Sequence, residues 1–376
     1  MLYLDYSATT PVDPRVMKRY EEATAQFPGN PNSDHPLGQA ANAELSRITK
    51  SIAGLLAAKP AEIIYTSGAS EANNTAIFGI ARASRHLGRH IISTPLEHAS
   101  VSGPLTNLQE QGWEIDLVRI TRDGTVDMED LRDLLRKDTV LVAVCAVDSE
   151  LGTVQPIREI AALLKDFPNC RLHVDATQAV GKIPFAFQSA DTVSLSAHKF
   201  YGLKSSGLLL KRERFALPPL IHGGASATIY RSGTPDVPMA AALETALRLS
   251  TEELARYRES VSEKNAMLRN ALSCYPKVRI NSPANAIPHI LNLSVQGVTG
   301  DVFQKALSEH GVCVSVKSAC AVKGTPSRAV YAVSRDKKNA RCSWRISLSH
   351  LTTNAELQEF LMIFDTCYHT LTEETP

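Results

Sequence analysis

Apolar positions along this chain follow two periods. At 63–66, 90–93, 114–118, 140–144, 171–175, 192–195 and 207–210 they gather in short runs that read as strands. Between those runs, over 69–85, 99–111, 128–136 and 157–165, they recur at helical spacing. Val140-Leu141-Val142-Ala143-Val144 has no polar interruption, as expected of a strand covered on both faces. Such alternation predicts an α/β domain with a mostly parallel seven-stranded sheet flanked by helices. The last two strands are close enough in sequence to pair antiparallel. Helices are expected at 15–26 and 38–57, after an extended arm broken by Pro11 and Pro14. One long helix over 239–274 is expected to lead out of this domain. Beyond it the order is strand (289–294), helix (300–310), short strand (312–315), loop, helix, strand (343–348) and helix (354–371). This predicts a smaller α+β domain. The expected division is 15–255 for the large domain, with 1–14 and 256–376 forming the small one.

Composition adds mainly exclusions. The 376 residues are 44% hydrophobic and 21% charged, an ordinary soluble balance. A net charge of +1 gives no electrostatic case for direct nucleic-acid binding or for an anionic membrane. The start, Met1-Leu2-Tyr3-Leu4-Asp5-Tyr6, lacks the basic and apolar regions of a signal peptide, and no apolar run is long enough to span a bilayer. Seven scattered cysteines, with no C-x-x-C pair, argue against a structural zinc site or a disulfide framework. The expected setting is a reducing cytoplasm with free thiols.

Candidate chemistry falls at predicted strand ends. Ser67-Gly68-Ala69-Ser70-Glu71 leaves a strand and opens a helix, where free N–H groups can bind phosphate; taken alone it also reads as a capping box. Asp175 closes an apolar strand, where a carboxylate can pair with a protonated pyridine nitrogen or simply cap the next turn. Lys199 follows a strand amid Ser196, Ala197, His198, Phe200 and Tyr201. Partial burial beside another cation would leave its amine neutral for Schiff-base chemistry; taken alone it reads as a surface lysine at a hairpin corner. His98 follows another strand and could stack on a ring and carry protons, or serve as a capped core histidine. Cys320 sits among small residues with lysines on both sides, a setting that favours a thiolate. Cys145 and Cys313, in apolar strands, read as inert. Arg345 on its strand can clamp a carboxylate or form a structural salt bridge.

The order of these signals is more specific than any one of them. Tyr3-Leu4-Asp5-Tyr6-Ser7-Ala8-Thr9-Thr10-Pro11, Gly29-Asn30-Pro31, Thr66-Ser67-Gly68-Ala69-Ser70-Glu71-Ala72-Asn73 and Glu97-His98 resemble the pyridoxal-phosphate cysteine desulfurases of the class V aminotransferase family. So do His173-Val174-Asp175-Ala176-Thr177-Gln178, Ser196-Ala197-His198-Lys199, Arg231-Ser232-Gly233-Thr234, Ser318-Ala319-Cys320 and Arg345-Ile346-Ser347-Leu348. The resemblance implies a fold-type I transferase using pyridoxal 5'-phosphate. It makes Lys199 the Schiff-base lysine, Asp175 the partner of the pyridine nitrogen, Gln178 the partner of the ring oxygen and His98 the stacking ring. Ala69, Ser70, Ser196 and His198 would hold the phosphate, with Thr234 reaching the phosphate of a neighbouring subunit in a homodimer. Arg345 would hold the carboxylate of L-cysteine, with Asn30 nearby. Cys320 would carry the persulfide to a sulfur acceptor, an iron–sulfur scaffold or a tRNA-thiolation enzyme. The loop around Cys320 resembles that of the housekeeping branch.

Some positions depart from the family pattern. Ser149, within Ala146-Val147-Asp148-Ser149-Glu150-Leu151-Gly152, stands where an asparagine usually contacts the cofactor ring or substrate. Ala225-Ser226-Ala227-Thr228 replaces a Gly-(Gln/His)-Glu run, and Lys317 replaces a glycine. A selenocysteine lyase, an aminotransferase, or a cofactor-binding regulatory partner with a weakened site are the alternatives at this stage.

Overall fold

A computed structural model describes residues 1–224, 226–317 and 324–373. At its centre is a seven-stranded sheet. From one edge the strands run Ile63–Thr66, Gly207–Lys211, Thr192–Ser196, Arg171–Asp175, Thr139–Cys145, His90–Ser93 and Glu114–Leu117. The last five pair in parallel, whereas Gly207–Lys211 is antiparallel to both its neighbours. Every residue of Thr139–Cys145 is buried, because helices cover both faces. The edge strand Glu114–Leu117 is largely exposed and carries two acids, which suits an edge that must not recruit another strand. The register places Cys145 beside Asp175 and Asp175 beside Ser194. The carboxyl ends of the parallel strands therefore converge, which is where open α/β sheets bind ligands.

A second hydrophobic cluster lies around the antiparallel strands Val278–Ile280, Ile290–Val295 and Ser343–Ser347. Trp344 and Phe303 stack at its centre, 5.2 Å between rings. The N-terminal arm joins this part of the molecule. Leu2–Tyr3 pairs in parallel with Val312–Cys313, Asp5 bridges to Ser347, and Leu2 and Leu4 are buried in the same cluster.

Sequence periodicity missed two breaks and a strand. The expected helix over 239–274 is two, Val237–Glu252 and Leu254–Leu272, separated at Glu253. The first is apolar nearly all round and buried. The second buries only Tyr257, Val261, Asn265, Leu268 and Leu272, so each helix packs on its own face. The single helix expected before 343–348 is also two, Arg328–Ser334 and Lys337–Cys342. Arg335 ends the first in the left-handed conformation, and the Asp336 side chain caps the second. Val278–Ile280 is too short to leave a pattern.

Candidate active site

A cavity of about 500 Å³ opens at the converging strand ends. Ala69, Ser70, His98, Ser149, Asp175, Gln178, Ser196, His198, Lys199 and Arg345 all line it. They come from six separated stretches of sequence.

Lys199 ends a single 3-10 turn, Ala197–Lys199, that leaves the strand Thr192–Ser196. Its Nζ donates to the backbone oxygens of Ser7 (2.7 Å) and Ala8 (2.6 Å), so the N-terminal arm holds the amine half-buried over the sheet. The surface-corner reading of this lysine does not apply. Asp175 caps the next turn and keeps its other oxygen inside the site. Its Oδ1 accepts from the Thr177 N–H (2.9 Å), capping the turn, while its Oδ2 accepts from Asn73 Nδ2 (2.9 Å).

The helix Ala69–Ser84 begins at Gly68, and no side chain caps it. Glu71 turns back to accept the Ser67 N–H (2.7 Å) and pairs with Arg231 (3.0 Å). Gly68 has φ +139°, and a Cβ there would lie 3.2 Å from Ser196 Oγ. Glycine thus brings helix start and strand end together. His198, across from them, bonds Thr9 Oγ1 through Nδ1 (3.2 Å). Burial, and then Lys199, Lys204 and Lys182, push its pKa down to about 4. The chemistry of this corner is a helix N-terminus, two hydroxyls, a neutral imidazole and nearby lysines. That donor set fits a phosphate.

His98 caps the helix Ala99–Glu110. Its Nδ1 accepts the Ser100 N–H (3.1 Å), so the neutral ring carries its proton on Nε2. Burial, chiefly, together with Lys199, lowers its pKa against the pull of Asp175. Arg345 is 1% exposed on Ser343–Ser347; it donates to the Ser149 carbonyl (2.6 Å) and to Asp5 Oδ1 (3.0 Å). Its Nε has no partner, which leaves a buried donor for an anionic group.

Two expected residues do not reach this cavity within one chain. Asn30 is exposed, its Oδ1 occupied by the Asn32 N–H (3.0 Å). Thr234 lines a separate cleft with Ser67, Gly207 and Arg231. Cys320 lies outside the described residues. On either side of that segment, Lys317 Nζ donates to the Thr325 backbone oxygen (2.6 Å) and Oγ1 (2.9 Å). Cys145 is buried as expected of an inert thiol, and burial pushes its pKa well up, yet it borders the cavity.

Sequence reasoning missed four polar residues beneath the site. Asn73, fully buried, ties together Asp175, Ser100 Oγ (2.9 Å), His173 Nε2 (3.0 Å) and Ser194 Oγ. His173 in turn accepts from Thr192 Oγ1 (2.9 Å) and, through burial, falls to about 4. Glu97 accepts from Thr94 Oγ1 (2.7 Å) and the Cys145 N–H (2.9 Å), and burial pushes its carboxyl up to about 8. Lys182 bonds Gln178 Oε1 (3.0 Å), four residues back. That i, i+4 spacing was the one readable signal among them.

A lysine, a carboxylate and an uncapped helix N-terminus at the strand ends of a mostly parallel sheet define an α/β enzyme of the pyridoxal-phosphate, fold-type I class. The chain belongs to the class V aminotransferase family, whose model ("Aminotransferase class-V") matches residues 2–360. It is 37% identical to a "NifS/IcsS protein homolog" of Lactobacillus delbrueckii subsp. bulgaricus, over 98% of this chain and 97% of that protein. It is 35% identical to "Cysteine desulfurase IscS" of Dictyoglomus turgidum, over 97% and 93%. A solved "NIFS-LIKE PROTEIN" superposes with a TM-score of 0.91 at 32% identity, covering 99% of both chains.

Proposed function

We propose that this protein is a cysteine desulfurase that converts free L-cysteine to L-alanine and passes the sulfur on as a persulfide. The observation that carries the reading is the gathering of Lys199, Asp175, Arg345 and the phosphate-suited corner in one cavity, in a chain that also carries Cys320. Bound there on Lys199, pyridoxal phosphate supplies an electron sink that makes the α-C–H and C–S bonds of the amino acid breakable. Asp175 holds the pyridine nitrogen, and Gln178 donates to the ring oxygen. Ala69, Ser70, Ser196 and His198 hold the phosphate, and Ser149 lines the same cavity beside Arg345.

Arg345 orients the substrate carboxylate. The Lys199 amine takes the substrate α-proton, and its two carbonyl partners from the N-terminal arm fix where that amine starts. His98 gives and receives a proton at the substrate sulfur through Nε2. The Cys320 thiolate attacks that sulfur; an S–S bond forms as the C–S bond breaks, and the carbon ends as the methyl group of alanine. Cysteine plus thiol thus become alanine plus persulfide, with no outside oxidant.

Thr234, absent from its own chain's cavity, and Asn30 serve a neighbouring subunit's site in a homodimer. The chain divides into a small domain, 1–14 and 256–376, whose sequence includes Cys320, and a large domain, 15–255; the separate hydrophobic cluster that takes in Leu2 and Leu4 supports this division. The persulfide goes to an acceptor protein of iron–sulfur assembly or tRNA thiolation. The six described cysteines are all free, which supports a cytoplasmic setting. No helix among the described residues is long and apolar enough to cross a membrane.

The test is alanine formation from L-cysteine, with alkylation to trap persulfide. Lys199→Ala is expected to lose the visible cofactor band and all turnover. Cys320→Ser keeps the band and binds cysteine but yields no trapped persulfide. Sulfide release by Cys320→Ser at the wild-type rate would show that another group accepts the sulfur.

A further inference from the structure

Behind Lys199 lies a second lysine that the reaction leaves unused. Lys182 lies in the second of two successive turns after the strand Arg171–Asp175 and is only 6% exposed. Its Nζ donates to Gln178 Oε1 (3.0 Å) and to the Lys199 backbone oxygen (3.3 Å). No carboxylate answers its charge among the described residues. The charges that reach it, Lys199 and Arg345, have the same sign, and His289, also buried, is a third basic group facing it. Burial first, then those cations, push its amine down to about 7. Such a lysine is costly, and a methionine would fill the space without the penalty. Costly buried ionisable groups cluster at functional sites.

The hydrogen bonds say what it does. Gln178 Nε2 donates to the Ser7 carbonyl (3.0 Å), the same oxygen that Lys199 Nζ uses (2.7 Å). Lys182, Gln178, Ser7 and Lys199 therefore form a closed circuit. Flipping the Gln178 amide would set its NH₂ against the Lys182 amine and its oxygen against the Ser7 carbonyl. With Lys182 present, the amide has one orientation, and its second Nε2 hydrogen is left for the cavity that Gln178 lines. Donation from Lys182 also polarises the amide and strengthens that remaining N–H.

We infer that Lys182 is a positioning residue that locks the Gln178 amide, and so fixes the donor offered to the ring oxygen of a cofactor carried on Lys199. This rests on the reading of the cavity as a pyridoxal-phosphate site. A donor at the ring oxygen stabilises its negative charge and eases proton loss from the nitrogen that joins lysine to cofactor.

The experiment uses full-length protein reconstituted with pyridoxal phosphate, without cysteine. It reads the pH midpoint of the visible cofactor band and the cofactor dissociation constant. Lys182→Met is expected to raise the midpoint by about one unit and weaken cofactor binding roughly tenfold. Lys182→Arg, which keeps a donor, returns both toward wild type. Gln178→Leu raises the midpoint similarly, and adding Lys182→Met to it produces no further shift. If the methionine variant does not fold, Gln178→Glu gives the same upward shift, since its carboxylate occupies Lys182 and offers the cavity no N–H. An unchanged midpoint in the folded methionine variant, with only the unfolding temperature altered, makes Lys182 structural and overturns the inference. An equal shift in the Gln178→Leu background overturns it too, because Lys182 then acts without Gln178. Wild-type protein that binds no pyridoxal phosphate fails at an earlier point, the functional reading itself.

Discussion

Glu97 is a half-buried acid next to His98, and its Oε2, shut off from solvent, has no partner. Its carboxyl rises from an ordinary 4.5 to about 8, mainly through burial. Between those values the folded protein holds a proton that the unfolded chain has released, so stability falls as pH rises through this window. Glu97→Gln keeps the acceptor for Thr94 and Cys145 and has nothing to titrate. Urea unfolding of the apoprotein at pH 5 and pH 8 is expected to show the variant gaining on wild type at the higher pH; parallel behaviour at both would remove Glu97 from this account. At this scale the sequence was legible where a residue's type and its place at a strand end agreed, as for Lys199 and Asp175. Asn73, Lys182 and Glu97 stayed hidden for a shared reason. Each is a polar group inside a buried layer, and Asn73 and Glu97 find partners 27 to 121 residues away. Local pattern does not register such pairs.

Elements were easier to read than residues. The seven strands stand within a residue or two of the stretches that predict them, most plainly Thr139–Cys145, because a strand buried on both faces needs an unbroken apolar run. What misled was continuity: helical periodicity runs on through Glu253, although the chain turns there to pack two different faces. The start of the helix Ala69–Ser84 makes the sharpest prediction at this scale. Gly68 holds a conformation that is almost glycine's alone, within 3.2 Å of Ser196 Oγ for any added Cβ. Gly68→Ala is expected to cost about 1–3 kcal/mol in urea unfolding. Because it displaces the helix start from Ser196, it is also expected to weaken inorganic phosphate and cofactor binding more than Ser70→Ala does. A variant with wild-type affinity would mean that the corner does not hold the phosphate.

At the scale of the whole molecule, the N-terminal arm ties the two clusters together. Asp5 pairs with Arg345 and accepts from Ser315 Oγ (2.8 Å), and the Ser7 N–H donates to Ser347 Oγ (2.9 Å). Removing Asp5 takes away the ion-pair partner of the buried Arg345, so Asp5→Ala is expected to lower the unfolding free energy by about 3 kcal/mol. L-Alanine brings a carboxylate of its own and is expected to restore more stability to the variant than it adds to wild type. Equal stabilisation of both would place the substrate carboxylate elsewhere. The sequence places the arm with the small domain, but its two prolines and extended start do not show the strand it joins or the Asp5–Arg345 pair.

The same arm sets an order of events during synthesis. Leu2 and Tyr3 are made long before the strand they pair with, which begins at Val312. At about 5–20 residues per second, roughly 15 to 60 s separate the two. The sheet that bears Lys199 can fold while the ribosome is still working, but the carbonyls of Ser7 and Ala8 have no anchor until the late strand emerges. The amine is therefore set in place after the sheet itself, and a nascent chain acquires the ability to take up its cofactor only once Val312–Cys313 has been made.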